Sequence, residues 1–382
     1  MISRLFKKII IFLLLLTVIN PKIIAMEQEN FSTILDEKYN EANIDEINNN
    51  IPENVRKDLN ELGINSPRPD EIQNFDITKI FKFIFSKTAT IIKTPLMVFL
   101  SCIAIMLICS LFNSIKPGLT GSNLDGVLGT LMAVCTCGIV VTPIINCVND
   151  ISHTIKNFSN FMLCFIPVFT GIIAMSKGVI TSIGYNSAIF LLAQITSSIT
   201  SGLLLPITGS FLALSISGSI NESFNISGIT SGVKKVIIFT LSLLVTIFVG
   251  IFTVQSSIAS NADNMGIKTA KFLSSSFIPI IGGALGDALA SIVGGLNIIK
   301  SAVGGFGIIV CIVTILPPIL TVSSFIILTS ISKEISQALE IKTMFKALSA
   351  IKDCLSILLA FLICYGILII STTTVIITMG AK

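Results

Sequence analysis

Apolar side chains run almost without interruption from Pro95 to Met379, and ionised side chains are rare in that stretch. A helix of about 20 mainly apolar residues is long enough to cross a bilayer. The candidate spans are residues 95–115, 124–148, 158–176, 179–200, 203–220, 234–255, 277–299, 303–330 and 354–378. The pattern predicts an all-α, polytopic membrane bundle over residues 88–382, with about 7–9 spans.

Two stretches between the spans, 256–275 and 331–353, mix charged and apolar residues and are predicted to lie at the membrane surface. In 331–353 the apolar residues recur every three or four positions, which is typical of one amphipathic helix. Lysines 116, 177, 234 and 235 fall on the inner side if a signal sequence starts the chain. The side on which 331–353 lies depends on whether 277–299 crosses the membrane or returns as a re-entrant segment, and charge does not decide between them.

The N-terminus is predicted to be a signal peptide, residues 1–25, with an uncleaved anchor as the alternative. Residues 26–87 hold 13 acidic and seven basic side chains, and form a predicted acidic extracytoplasmic segment. Val55, Leu59 and Leu62 follow Pro52 at helical spacing, and Gly63 is a natural helix end. We expect one short amphipathic helix here in an otherwise extended tail, and an interfacial helix over Lys79–Lys87.

Composition supports the membrane assignment and narrows the chemistry. The mean hydropathy is +0.91, which is typical of integral membrane proteins. The nine cysteines are scattered through apolar blocks and are expected to be buried filler. The single histidine, His153, is expected in a solvated loop, and no nucleotide-binding loop is present. We therefore expect no enzyme activity, cofactor, metal site or nucleic-acid partner.

The most distinctive segment, Gly266–Gly307, is rich in glycine and carries polar groups within an apolar run. Small residues about four positions apart let helices approach closely in lipid, and an acid at membrane depth suggests function. The candidate pore or packing residues are Pro279, Gly282, Gly283, Gly286, Asp287, Asn297, Lys300 and Gly304. A straight helix would place Asp287 and Lys300 about 20 Å apart. Tight helix packing and a polar pathway both remain open.

A Pro-x-x-Gly unit recurs at Pro206 and Pro279, with a looser copy at Pro167. Broken helices at matched positions mark the substrate site of some transporters. A stand-alone secondary transporter is therefore an alternative, as is a membrane scaffold without a transport path.

The chain resembles the stage III sporulation protein AE family of endospore-forming Firmicutes. The residues that carry the resemblance are Lys271-Phe272-Leu273-Ser274, Phe277-Ile278-Pro279, Gly282-Gly283, Asp287-Ala288, Lys300 and Gly304. The order of signal, acidic tail and multiple spans also matches.

This resemblance implies a role in endospore formation, as a membrane subunit of a channel or secretion-like complex linking mother cell and forespore. The implied location is the mother-cell-derived membrane around the forespore. The implied partners are the other stage III sporulation A proteins, including an ATPase-like subunit, and an envelope protein from the forespore side. Membrane lipid and a second copy of the chain are further candidate partners.

Overall fold

A computed structural model describes residues 44–73, 76–115, 124–176, 205–220, 228–229, 231–251, 253–254 and 282–378, with isolated residues between 194 and 202. All the regular elements in these ranges are helices. They are α1 Asp45–Asn49, α2 Glu53–Leu62, α3 Pro69–Gln73, α4 Ile77–Ile91, α5 Lys93–Ile115, α6 Leu124–Ser176, α7 Leu205–Ile220, α8 Ser231–Ile251, α9 Gly282–Ala338 and α10 Lys342–Thr378.

The all-α membrane class is confirmed, since five helical stretches in the described ranges are long and apolar enough to cross a membrane. They are Thr78–Leu111, Val134–Met175, Ser231–Ile251, Gly294–Ala338 and Lys342–Leu368. The stretch in α9 is the most buried of the five and packs against α10, α6 and α5. The stretch in α8 is the least buried and lies at the periphery.

Two pairs of expected spans prove to be single helices, so the predicted breaks between them were wrong. Residues 124–148 and 158–176 join in α6, which is 53 residues long. Residues 303–330 and the described part of 277–299 join in α9, which is 57 residues long. At 1.5 Å per residue these helices measure about 80 and 85 Å, well beyond the roughly 30 Å of bilayer hydrocarbon. Part of each must therefore lie outside the hydrocarbon layer.

The polar stretch 331–353 was predicted to be one amphipathic helix. In the structure it is the tip of a helical hairpin. Helix α9 ends at Ala338, and α10 begins at Lys342. Between them Glu340 takes a left-handed conformation with φ 59°, and the Ile341 N–H donates to the Ser336 carbonyl over 2.9 Å. A left-handed residue followed by such a bond is a common way to end a helix.

The acidic segment has more structure than the sequence predicts. Helix α2 forms as expected, and Gly63 ends it with φ 78°. The neighbouring residues, expected to be extended, form α1 and α3 in addition. The apolar residues of this segment are buried; they are Ile44, Ile47, Ile51, Val55, Leu59, Leu62 and Ile64. Helices α2 and α3 pack against α9, and α1 packs against α6.

A pH-dependent cap starts α4. The Asp76 carboxylate accepts hydrogen bonds from the Thr78 hydroxyl and, over 2.9 Å, from the Thr78 backbone N–H. These two bonds hold the pKa of Asp76 below its usual 3.8. A carboxyl whose pKa is lowered by folding stabilises the fold above its unfolded pKa, and this contribution disappears as pH falls through the folded pKa.

We therefore expect the protection factor of the Thr78 amide to fall as the pH is taken below 3.8. Hydrogen exchange followed by mass spectrometry or NMR measures it. The Asp76→Asn variant keeps an oxygen acceptor without an ionisable group, so its Thr78 protection should not change with pH. A pH dependence that persists in this variant would contradict the assignment.

Candidate functional site

The described part of the glycine-rich segment, residues 282–307, forms the first half of α9, the helix at the centre of the bundle. Pro279 lies outside the described residues. The backbone of Gly282, Gly283, Gly286 and Asp287 is helical, but their surroundings and the Asp287 side chain lie outside what the structure describes. Asn297, Lys300 and Gly304 are described and lie three and four residues apart, so they share one face of α9. The structure therefore brings part of the predicted set together.

Asp287 and Lys300 do not form a direct pair. The helix is continuous between them, and thirteen residues at 1.5 Å each separate their backbone positions by about 20 Å. The re-entrant alternative for 277–299 also fails over its described part, because that part continues straight into 303–330. The two residues therefore lie at different levels of the same helix.

The shared face of Asn297 and Lys300 is polar and enclosed. Lys300 is only 3% exposed. The Asn297 side-chain oxygen is buried, and no donor among the described residues reaches it. A buried amide without a partner costs about 1–3 kcal/mol, and a charge inside a membrane protein usually marks a functional position. This face therefore combines a buried lysine and a buried amide in the described part of α9.

Two glycines outside the predicted set make close contacts: Gly307 lies on the same face of α9 as Lys300 and Gly304, and Gly305 lies on a neighbouring face. A Cβ atom on Gly305 would lie 3.0 Å from Ile72 of the acidic segment. A Cβ atom on Gly307 would lie 2.5 Å from the ring of Phe165 on α6. Both glycines therefore let a neighbouring element approach the α9 backbone. These contacts support the packing interpretation for this part of the glycine series.

The Phe165 ring has little freedom to move away from Gly307. It stacks between Phe161 and Phe169, with ring centroids 5.4 and 5.3 Å away. One helical turn earlier in the same series, Phe158 meets Tyr365 of α10 edge-on at 5.5 Å. Sequence reasoning missed this aromatic row, although its spacing of three and four residues was a readable signal.

Lysines from distant parts of the chain meet near the hairpin tip. Lys234 of α8 forms an ion pair with Asp353 of α10 at 2.5 Å. Lys333 of α9 pairs with Glu334 at 3.2 Å and lies over the Phe345 ring. Since Lys234 touches Asp353, the tip lies on the same side of the bundle as Lys234.

A second ion pair fastens the acidic segment. Lys87 of α4 pairs with Asp58 of α2 at 2.6 Å, and Glu61 lies 3.7 Å from the same ammonium. The Lys87 and Asp58 side chains are mostly buried, so water screens the pair less than a surface pair. Together with Ile72 on Gly305, this contact joins residues 44–73 of the segment to α4 and α9.

The structure also shows where the cysteines, His153 and Pro167 lie. All nine cysteines lie in described residues and none forms a disulfide; six are buried, in line with a filler role. Cys135 is exposed and departs from it. His153 is exposed within α6, so the predicted loop around it was wrong. Pro167 also lies inside α6, which does not break there.

Apolar helices that pack around a glycine-rich central helix are typical of a polytopic, α-helical membrane protein. The chain belongs to the stage III sporulation protein AE family, whose model matches residues 68–380. A stage III sporulation protein AE from Bacillus subtilis (strain 168) is 25% identical over 235 residues. The match covers 61% of this chain and 58% of that relative. No solved structure matches the chain. Membership supports a role in sporulation.

Proposed function

We propose that the protein is a membrane subunit of a channel or secretion-like complex that links mother cell and forespore and is required for endospore formation. The observation that carries the proposal is the polar face of α9, where Lys300 is buried and the buried Asn297 oxygen meets no donor among the described residues. A face that only packs helices gains nothing from burying a cation and an amide.

The partners in this proposal are the other stage III sporulation A proteins, including an ATPase-like subunit that supplies energy, and a forespore-side envelope protein. The membrane is the one that the mother cell places around the forespore. The acidic segment offers its outer face to such partners, since the Glu53 and Glu61 side chains are 83% and 58% exposed. Its apolar face is already used against α9 and α6.

Replacing Lys300 with methionine tests the polar pathway. The change keeps an unbranched chain and removes the charge, so the helix should form while the polar face is lost. We expect a loss of heat-resistant spores of tenfold or more, on the order of the effect of one essential charged contact. Spore counts and an immunoblot of the same cultures measure function and abundance.

The matched control is Lys57→Met, which removes a lysine whose side chain is 73% exposed. It should leave spore counts and abundance unchanged. Normal sporulation of the Lys300→Met strain at normal abundance would reject the polar pathway. A parallel experiment with Asp287→Ala tests the second polar level of α9 in the same way.

A membrane scaffold is the second candidate function, and the contacts of Gly305 and Gly307 favour it. A scaffold tolerates the loss of Lys300 but not of these close contacts. A stand-alone transporter would move a solute across liposomes without other subunits. If purified protein moves none of a broad panel of solutes, and strains that make it sporulate only when its partners are also present, the complex is supported.

A further inference from the structure

We propose that helices α8 and α10 form a binding site for one anionic phospholipid, whose headgroup lies at a lysine cluster and whose acyl chain lies in an adjacent apolar crevice. The lysine cluster is defined as Lys234, Lys333 and Lys352 with the carboxylates of Glu334 and Asp353. The proposal goes beyond the function proposed above and does not depend on it.

The cluster has an unneutralised cation. Asp353 is paired with Lys234 and Glu334 with Lys333. The half-buried Lys352 ammonium interacts electrostatically with both lysines and both acids, but among the described residues no carboxylate forms an ion pair with it. Three lysines share two carboxylates, so an added anion would complete the charge balance.

The crevice lies farther along the same two helices. Leu241, Leu244 and Val245 of α8 form one wall, and Phe361, Tyr365 and Leu368 of α10 form the other. It is a shallow, open groove whose cavity volume is only about 10 Å³, so an acyl chain would lie along its surface. The lining is almost wholly apolar, which suits a hydrocarbon chain.

The separation of cluster and crevice fits a phospholipid in one leaflet. Along α8, Leu241 and Val245 lie about 10 and 16 Å beyond Lys234. Along α10, Phe361 and Leu368 lie about 12 and 22 Å beyond Asp353. Half of the hydrocarbon layer measures about 15 Å. A phosphate at the cluster therefore leaves its acyl chain level with the crevice.

The cluster also lies where apolar helix surface begins. Val236 and Phe239, just after Lys234 on α8, are more than half exposed, and Ile331 on α9 is exposed beside Lys333. Basic pockets between membrane helices on the inner side commonly hold anionic headgroups. An acidic protein segment could also meet the lysines, but it would not use the crevice.

The test uses the full chain in a mild detergent, with phosphatidylglycerol or phosphatidylcholine of identical acyl chains added. Native mass spectrometry counts retained lipid, and thermal unfolding gives the stabilisation. We expect retention of phosphatidylglycerol over phosphatidylcholine, a loss of about fivefold in Lys352→Gln, and retention in Lys352→Arg. Glycerol phosphate, the headgroup without chains, should give a weaker shift than the lipid.

Matched controls separate this site from general attraction. Lys235→Gln removes the same charge from the exposed neighbour of Lys234 and should retain the lipid. Val245→Phe fills the crevice and should weaken retention, whereas Ile247→Phe on the exposed face of α8 should not. Equal retention of both lipids would mean that the protein holds only non-specific annular lipid. Equal effects of Lys235→Gln and Lys352→Gln would mean that the lipid responds to the overall positive charge and not to this site. Either result overturns the proposal.

A further measurement avoids dependence on the folding of Val245→Phe. Cys364 also lines the crevice. In a version that keeps Cys364 alone among the cysteines, phosphatidylglycerol should slow alkylation of its thiol more than phosphatidylcholine does. An alkylation rate that is the same with both lipids would overturn the acyl-chain part of the site, and with it the proposal.

Discussion

Replacing Gly307 with leucine is expected to prevent the bundle from packing. Even the first added carbon would lie 2.5, 2.7 and 3.2 Å from three atoms of the Phe165 ring, and real Cβ atoms essentially never approach another atom within 3.0 Å. The ring is buried and stacked on both sides, so it cannot yield cheaply. Overpacking a core costs about 1–3 kcal/mol for small additions, and a whole leucine should cost more. The monodisperse fraction in detergent and the unfolding temperature measure the loss.

The control for this variant lies on the same helix. Among the described residues nothing comes within 4 Å of the position a Cβ would take at Gly294. Gly294→Ala should therefore stabilise α9 slightly, by about 1 kcal/mol of helix propensity, whereas Gly307→Ala should destabilise the bundle. Combining Gly307→Ala with Phe165→Leu should recover part of the loss, because the smaller side chain vacates the space. Equal stabilities of the two alanine variants would contradict the contact.

Changing Leu59 to aspartate is expected to detach the acidic segment from the bundle. Leu59 is 2% exposed and lies between Val55 and Leu62 on the buried face of α2. Removing a buried leucine side chain costs about 2–5 kcal/mol, and burying an unpaired carboxylate adds to it. The ion pair of Lys87 with Asp58 alone should not hold the segment. Hydrogen exchange and limited proteolysis should show lost protection over residues 44–73.

Asn60→Asp provides the comparison, since Asn60 is the exposed neighbour of Leu59 and gains the same charge. It should keep the protection of the wild-type segment. The helices α6, α9 and α10 should remain protected in both variants, because the segment covers only one side of α9. Protection of 44–73 that survives Leu59→Asp would show that the apolar face of α2 does not hold the segment in place.

These two variants separate the roles of the packed glycines and the polar face. Gly307 and Leu59 contribute shape and burial, whereas in the function proposed above Lys300 contributes its charge. A strain that loses sporulation with Lys300→Met while its protein level stays normal points to the polar face. A strain that loses it only together with the protein points to packing.

The local signals in the sequence were reliable where a short stretch determines its own structure. Pro52 and Gly63 bound α2 because one restricts and the other frees the backbone. The predicted break over 149–157 was wrong. The stretch contains neither glycine nor proline, so nothing in it interrupts a helix. Polar residues there were taken as a loop, but a continuing helix tolerates them on an exposed face. Conversely, α9 ends near Glu340 without glycine or proline, so packing of the hairpin determined the turn.

The sequence alone determined the solvent and the class: an unbroken excess of apolar residues requires lipid around the helices, and the motif residues place the chain in its family. Only the tertiary structure decided which faces meet, placing Ile72 on Gly305, Phe165 on Gly307, and Lys234 beside Asp353. In lipid every apolar face is equally well solvated, so the hydrophobic pattern does not choose partners. Close fit and opposite charge choose them, and both depend on residues far apart in the chain.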